Sequence, residues 1–190
     1  MSAPYMPHAS PAHPVDQHPG AGASEELTIY LDTSPYPHIT GGNDPDTVAL
    51  LKENYAGIVS ELTAITQYVY QNIVTADDKA FSSAIQKIAV VEMSHLNMIG
   101  NAIQLLGGVP TFGDGRHFWQ AGNVNYATNL AEMLRADIDA ENKAIASYER
   151  HASQTGNSSV RCLLLRIIQD EKLHLRFFTE MLARVPAEER

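Results

Sequence analysis

Two short stretches of the sequence place a glutamate and a histidine three residues apart within otherwise apolar runs. The first, VEMSHLNMIG, contains Glu92 and His95, and the second, DEKLHLRFF, contains Glu171 and His174. In a helix, residues at this spacing lie on the same face, one turn apart. Taking a carboxylate out of water costs several kcal/mol unless an opposite charge accompanies it. Both stretches therefore predict a cation beside their glutamate.

The two halves of the chain repeat this pattern. The segment I-x-x-E-x-x-A-I-x-x-Y occurs twice at an offset of 80 residues, with Glu61 in the first copy and Glu141 in the second. The two Glu-x-x-His stretches superpose at an offset of 79 residues. One Glu-x-x-His pair alone would be a weak signal, because chance or an ordinary ion pair also produces it. Two such pairs, each matched by a further glutamate in an apolar row, predict that two helical hairpins bring six side chains together.

Helical periodicity begins after residue 45 and defines the elements that carry these side chains. Four helices are predicted, at residues 46–74, 77–106, 127–153 and 158–184. The links between the first two and between the last two helices are short, whereas about twenty residues separate the second helix from the third. This pattern is typical of an all-α four-helix bundle with one long crossover between helices two and three.

The region before the bundle has a different composition. Residues 1–24 are rich in Pro, His, Ala and Gly, and we expect them to form a disordered tail. Residues 25–45 contain one short β-like run followed by turn formers, which favours an extended arm packed on the bundle. The predicted division is therefore a tail and arm at residues 1–45 and a bundle at residues 46–190.

The six side chains have the chemistry of a site for two metal ions. Four carboxylates in a dry core cannot all ionise without cations, and two divalent ions would balance their charge while both histidines stay neutral. One imidazole per ion among oxygen ligands suits iron or manganese better than zinc. Glu92 and Glu171 are predicted to bridge the ions, and Glu61 and Glu141 to bind one ion each. Two such ions can together exchange two electrons with O2 or H2O2.

Two tyrosines accompany the glutamates of the longer repeat. Tyr68 follows Glu61 by seven residues, and Tyr148 follows Glu141 at the same spacing. Because this spacing returns to the same helix face, both hydroxyls are predicted to donate hydrogen bonds to the ligand carboxylates. One-electron donation to the metals and simple core packing are the alternatives for both tyrosines.

This arrangement resembles the ferritin-like di-metal carboxylate superfamily, which includes bacterioferritin, rubrerythrin and manganese catalase. The resemblance covers residues 46–184, and VEMSHLNMIG and AENKAIASYERH are similar to the second and third helices of manganese catalases. It implies the ferritin-like fold, a centre of two iron or two manganese ions held by all six side chains, and catalase, peroxidase or ferroxidase activity. It also implies a homodimer or higher homo-oligomer, and a hydrogen bond from His95 to Asp170 outside the centre.

Two features differ from rubrerythrins. Ala144 stands where those proteins carry an additional glutamate, and the single cysteine, Cys162, cannot form their four-cysteine iron site. The lone cysteine also excludes an intramolecular disulfide. A typical rubrerythrin peroxidase is therefore disfavoured by the sequence.

Composition excludes several other classes of function. The formal net charge is −9 and no run of Lys or Arg is present, which disfavours nucleic acid or an anionic membrane as a partner. No apolar stretch has the length of a membrane span and no secretory signal is apparent, so we expect a cytoplasmic protein. The expected function is an oxidoreductase acting on H2O2 or O2, and the alternative is an iron-binding or storage module without dedicated turnover.

Overall fold

The computed structural model describes residues 30–189, and the predicted tail at residues 1–24 lies outside this range. Within this range five α-helices follow one another, α1 (Pro45–Ala56), α2 (Glu61–Val74), α3 (Lys79–Leu105), α4 (Leu130–Gln154) and α5 (Ser158–Arg184). α2 pairs mainly with α3, and α4 pairs mainly with α5, while α1 packs on α3. The predicted all-α, ferritin-like four-helix bundle is confirmed, with α1 and α2 together in the place of its first helix.

Each α-helix begins at a side chain that accepts a hydrogen bond from the backbone of the first turn. The capping residues are Asp44, Ser60, Asp78, Asn129 and Asn157. Such residues satisfy backbone N–H groups that have no partner within the helix, and each contributes about 1 kcal/mol. The ends of the last three helices lie within a few residues of their predicted positions, because turn residues mark them in the sequence.

The first predicted helix differs from the structure. Residues 46–74 were expected to form one helix, but Gly57 ends α1 and Ser60 begins α2. The Ser60 hydroxyl donates to the Gly57 carbonyl at 2.9 Å, which closes the interruption as a tight turn. Ile58 was expected to face the core and is instead 73% exposed, because it lies within this turn. The interruption makes Glu61 the first residue of a new helix.

The connection between α3 and α4 runs along the outside of α2. Trp119 donates its Nε1–H to the Thr63 hydroxyl at 2.9 Å, and the Asn125 amide donates to Gln67 Oε1 at 2.8 Å. Further along, the Tyr70 hydroxyl donates to the carbonyl of Tyr126 at 3.1 Å. These contacts confirm the prediction that the long connection is a crossover along the bundle.

The core consists of two apolar clusters with polar residues between them. One cluster includes Leu51, Ile99 and Ile167, and the other includes Phe81 and Phe178. Residues 30–42 of the predicted arm lack regular secondary structure and contact the bundle, and residues 25–29 of it lie outside the described range. Among the described residues, no helix has the length and apolar character that crossing a membrane requires.

Candidate metal centre

The structure brings all six predicted site residues together between the two apolar clusters. Their side chains form two groups, and within each group one oxygen or nitrogen atom from every residue lies within 4.8 Å of those from the others. The first group is Glu61, Glu92, His95 and Glu171, and the second is Glu92, Glu141, Glu171 and His174. Glu92 and Glu171 belong to both groups, which is the arrangement that two bridging carboxylates would have. None of the six is more than 3% exposed.

Four helices supply these side chains, and each does so for a local reason. Glu61 begins α2, where the free N–H groups and the helix dipole favour a carboxylate. Glu92 and His95 lie one turn apart in the middle of α3, within a row of apolar residues. Glu141 lies on α4, and the second Glu-x-x-His pair repeats the geometry on α5. Antiparallel pairing within the hairpins brings the four helices to one level of the core.

Both imidazoles turn their Nδ1 atoms toward the carboxylates. His95 Nδ1 lies 3.0 Å from Glu92 Oε2 and 3.3 Å from Glu171 Oε1. His174 Nδ1 lies 2.9 Å from Glu92 Oε1 and 3.2 Å from Glu171 Oε2. Two imidazoles that each approach both shared carboxylates are placed to bind one ion apiece.

The outer Nε2 atoms of the imidazoles have different partners. His95 Nε2 lies 3.1 Å from Asp170 Oδ2, and His174 Nε2 lies 3.0 Å from the carbonyl oxygen of Tyr30. A carbonyl oxygen only accepts, so His174 carries a proton on Nε2, and in its neutral form Nδ1 would be free to bind a metal. The structure thus places Asp170 against His95, as the resemblance implied.

The protonation of the metal-free site follows from burial and mutual charge. Burial, and then the charge of Glu92, raises the pKa of Glu61 well above its usual value, and burial and Glu171 do the same for the pKa of Glu141. Burial also opposes ionisation of Glu92, but the charge of His174 holds the pKa of Glu92 below its usual value. Some of the carboxyl groups therefore hold protons while others are ionised.

The histidines complete this charge balance. Burial works against the imidazolium form, but the charge of Glu61 raises the pKa of His95 well above its usual value. In the same way, the charge of Glu92 raises the pKa of His174 to about 9. Without metal, the centre thus holds protons on these carboxyl and imidazole groups more tightly than the separate groups would. Divalent ions would displace those protons.

The donor set fits two divalent cations. Glu92 Oε1 is buried, and its 2.9 Å contact with His174 Nδ1 lacks hydrogen-bond geometry. A buried carboxylate oxygen without a well-aligned donor is costly, and a bound cation would remove that cost. Four carboxylates and two imidazoles form the set that iron and manganese accept, whereas structural zinc is usually bound by four ligands with more nitrogen or sulfur.

The two predicted tyrosines contact the centre across the bundle. The Tyr68 hydroxyl on α2 donates to Glu141 Oε1 on α4 at 2.5 Å. The Tyr148 hydroxyl on α4 donates to Glu61 Oε1 on α2. Each tyrosine thus holds the unshared glutamate of the opposite hairpin, and both rings are almost fully buried.

Sequence reasoning missed the partners that hold Asp170. Tyr36 donates its hydroxyl to Asp170 Oδ2 at 2.6 Å, and Arg166 donates Nη1–H to the same oxygen at 2.7 Å. The position of Arg166, four residues before Asp170 on one helix face, was a signal that could have indicated this pair. No local pattern indicates Tyr36, because 134 residues separate it from Asp170.

A cavity of about 300 Å³ connects the centre with the protein surface between α2 and α4. Its lining includes the four glutamates of the centre, and also Asp139 and Lys143, which are exposed. Ala64 and Ala144 line the cavity too, and their short side chains leave the space open. A cavity of this size admits water or another small molecule.

Similar proteins combine the same fold with metal-dependent functions. A probable manganese catalase of Clostridium acetobutylicum is 25% identical over 167 residues, which covers 76% of this chain and 74% of that protein. A bacterioferritin of Desulfovibrio desulfuricans is 28% identical over 124 residues, covering 62% of this chain and 65% of that protein. The crystal structure of KatB, a manganese catalase from Anabaena PCC7120, superposes with a TM-score of 0.73 at 25% identity, covering 80% of this chain and 78% of KatB.

The family assignment is independent of any single relative. The family model described as the ferritin-like domain matches residues 42–187, which include the whole bundle and all six residues of the candidate centre. The fold, the buried carboxylate and histidine groups and this match agree. The chain belongs to the ferritin-like domain family.

Proposed function

We propose that this chain binds two manganese or two iron ions through the six residues of the centre and catalyses the decomposition of H2O2. The main support for the proposal is that two buried ligand groups share Glu92 and Glu171. When bound, a pair of such ions supplies two-electron oxidation and reduction. In the overall reaction one H2O2 is reduced to two H2O and another is oxidised to O2, so no further reductant is required.

The residues of this chain have distinct tasks in the proposed reaction. Glu92 and Glu171 would hold the two ions at a fixed separation, because each belongs to both ligand groups. Glu61 and Glu141 lie on the cavity wall, where a substrate molecule would arrive. The hydroxyls of Tyr148 and Tyr68 keep these two carboxylates oriented, so that little reorganisation is needed when substrate binds.

The similarity to manganese catalases supports H2O2 as the substrate. The relative of that name aligns over 76% of this chain, and KatB shares the fold over 80% of it. The cavity beside the four carboxylates is large enough for H2O2 and opens to the surface. These observations favour a small substrate that reaches the centre directly.

The proposal is tested by oxygen evolution from H2O2 with protein loaded with Mn2+ or with Fe2+. We expect two ions per chain and continuous release of O2 in at least one of the two forms. Glu92→Gln should lose both ions and at least about 100-fold in activity, because a ligand of both sites is removed. Glu149→Gln is the control for the change from Glu to Gln, since Glu149 is an exposed helical glutamate outside the centre. Two bound ions without O2 release would refute the proposal.

Iron oxidation and storage is the second candidate, and the bacterioferritin relative favours it. In that case, Fe2+ would be oxidised by O2 as a substrate, and many more than two ions would accumulate for each chain. Titration with Fe2+ in air, followed by measurement of the iron that remains with the protein, separates the two functions. Retention of two irons together with O2 release from H2O2 supports decomposition of peroxide.

A further inference from the structure

Residues 30–36, which we call the docking arm, lie against the outer side of both histidines. The carbonyl of Tyr30 accepts the hydrogen bond from His174 Nε2 at 3.0 Å. Tyr36 donates its hydroxyl to Asp170, whose carboxylate is the partner of His95 Nε2. A short segment, 134 residues or more from these two partners on α5, therefore supplies the outer partner of one imidazole and contacts that of the other.

Asp170 is the point where the arm meets the centre. Its Oδ1 accepts from the backbone N–H of Asp32 at 2.6 Å, and its Oδ2 accepts from Tyr36, from Arg166 and from His95. The side chain is completely buried, and these donors hold the pKa of Asp170 below its usual value despite burial. Two of the four donors belong to the docking arm, so the orientation of Asp170 depends on the arm.

Arg166 fixes the arm to this carboxylate. Its Nε donates to the carbonyl of Ser34 at 2.7 Å and its Nη2 to the carbonyl of Asp32 at 2.6 Å, while Nη1 contacts Asp170. The guanidinium carbon also lies 4.2 Å from the centre of the Tyr36 ring, which is a cation–π contact. Each guanidinium nitrogen of this buried cation thus donates to either the arm or Asp170.

We infer that the docking arm is part of the metal centre, and that its docking and the binding of metal stabilise each other. The docked arm holds the outer nitrogens of both imidazoles, so that their Nδ1 atoms stay directed at the two ion positions. Groups that hold ligand histidines in this way typically change metal affinity 10- to 100-fold. By reciprocity, metal must favour the docked arm by the same factor. The inference rests on the metal binding in the proposed function and is independent of the reaction.

The contacts predict that a weaker hydrogen bond from Tyr36 changes the binding of the two ions to different extents. The side chain of Tyr36 acts on His95 through Asp170, whereas His174 is held by a backbone carbonyl that no side-chain substitution removes. Weakening the Tyr36 contact should therefore affect the ion beside His95 more than the ion beside His174. A general loss of stability would weaken both ions alike.

The first measurement is a calorimetric titration of the full chain with Mn2+. In Tyr36→Phe, which retains the ring beside Arg166, one of the two ions should bind about tenfold more weakly and the other should keep its affinity. Tyr70→Phe is the matched control, because the Tyr70 hydroxyl donates to a backbone carbonyl of the crossover at the surface. Unchanged binding in Tyr36→Phe, or equal weakening of both ions, would overturn the inference.

The second measurement needs no variant. Amide hydrogen exchange of the wild-type protein should be slower at Asp32 with Mn2+ than without it, because that amide is protected only while the arm is docked. The Thr40 amide, which donates to the hydroxyl of Ser159 beyond the docking arm, should change little. Equal exchange at Asp32 in both states would overturn the inference even if H2O2 is decomposed. Two bound Mn2+ ions with slowed exchange but no O2 release would refute only the proposed function.

Discussion

The two halves of the bundle provide the same ligands but support them differently. Each hairpin contributes one unshared glutamate, one shared glutamate and one histidine, and each tyrosine contacts the unshared glutamate of the other half. Outside this set the halves diverge. Asp170 precedes the shared glutamate of the second half, whereas the apolar Val91 precedes that of the first. The comparison indicates that the candidate ligands are symmetric between the halves, whereas the groups that hold them from outside are not.

The helices that carry the unshared glutamates also differ. α4 is continuous through Glu141, whereas Gly57 and Ser60 separate α1 from α2 immediately before Glu61. At the offset of 80 residues, Gly57 corresponds to Asp137, and Ser60 corresponds to Ala140. Glu61 thus lies at the start of a helix, whereas the corresponding Glu141 lies in the interior of one.

The largest expected effect is the response of the metal-free protein to pH. Burial and like charges raise the pKa values of Glu61 and Glu141, and neighbouring carboxylates raise those of His95 and His174. The metal-free folded state therefore binds more protons than the unfolded state, and its free energy of unfolding should fall as pH rises from about 5 to about 9. With metal bound, these protons are already displaced, so this loss should be absent.

Thermal unfolding between pH 5 and pH 9, with and without Mn2+, measures this difference. Calorimetry in buffers of different ionisation enthalpy should also show that metal binding near neutral pH releases protons. The pKa values of Glu92 and Glu171 are lowered, so these two groups affect stability in the opposite direction. Their contribution to the free energy of unfolding is lost only as the pH falls below the usual pKa of a glutamate. Equal stability of the metal-free protein at pH 5 and pH 9 would contradict this account.

Changing the residue that precedes the shared glutamate in either half should have the next largest effect. Asp170→Asn leaves the buried guanidinium of Arg166 without its carboxylate, so we expect a loss of about 3–5 kcal/mol in the free energy of unfolding. Val91→Asp introduces a carboxylate at a position that is 1% exposed and should be similarly destabilising. Denaturant unfolding measures both variants. A tolerated Val91→Asp would mean that the first half also contains a cationic partner for this position.

Sequence reasoning was most successful where the two halves repeat. Two Glu-x-x-His stretches in matching apolar rows indicated which side chains would meet, and the caps and turns placed the last three helices within a few residues. The identity and number of the bound ions stay predictions, because iron and manganese use the same ligands. Periodicity was sufficient for the inner set because helix geometry alone brings i and i+3 to one face.

Two features that belong to one half only were not predicted, the interruption of the first helix and the contacts of the docking arm. The interruption at residues 57–60 was missed because Ile58 continues the apolar row, and the local signals of Gly57 and Ser60 were outweighed by that period. The contacts of the docking arm join residues more than 130 positions apart, and no local pattern indicates such pairs. The outer partner of His174, the carbonyl of Tyr30, belongs to this arm and was not predicted, whereas Asp170 as the outer partner of His95 was implied by the resemblance.

Asp137 offers a smaller test of the asymmetry between the halves. Its Oδ1 accepts from Gln67 and Gln71 at 2.8 Å each, while Asp137 Oδ2 and Gln71 Oε1 are buried and without a partner among the described residues. Burial raises the pKa of Asp137 to about 7, so the folded state binds a proton that the unfolded state releases near pH 4. The wild-type protein should therefore lose a few kcal/mol between pH 4 and pH 8 from this residue.

Asp137→Asn removes this titration and provides an amide group that can donate to Gln71 Oε1. The stability of the variant relative to wild type should therefore increase steadily between pH 4 and pH 8, as measured by urea unfolding of the metal-loaded protein. Asp139→Asn is the matched control, because Asp139 lies on the same helix and is exposed. A constant difference between Asp137→Asn and wild type across this range would show that Asp137 is ionised in the folded protein throughout.

The smallest expected effect concerns the helix start beside Glu61. Ser60→Ala removes the cap of α2 and the hydrogen bond to the Gly57 carbonyl, which should cost about 1 kcal/mol. Asn129→Ala removes the cap of α4, far along the helix from Glu141, and should cost a similar amount. If the start of α2 positions Glu61 for metal, only Ser60→Ala should also weaken Mn2+ binding. In the second half, the residue that corresponds to Ser60 is Ala140, which lies within α4 and caps no helix. Equal Mn2+ affinity in the two variants would mean that Tyr148 alone is sufficient to hold the Glu61 carboxylate in place.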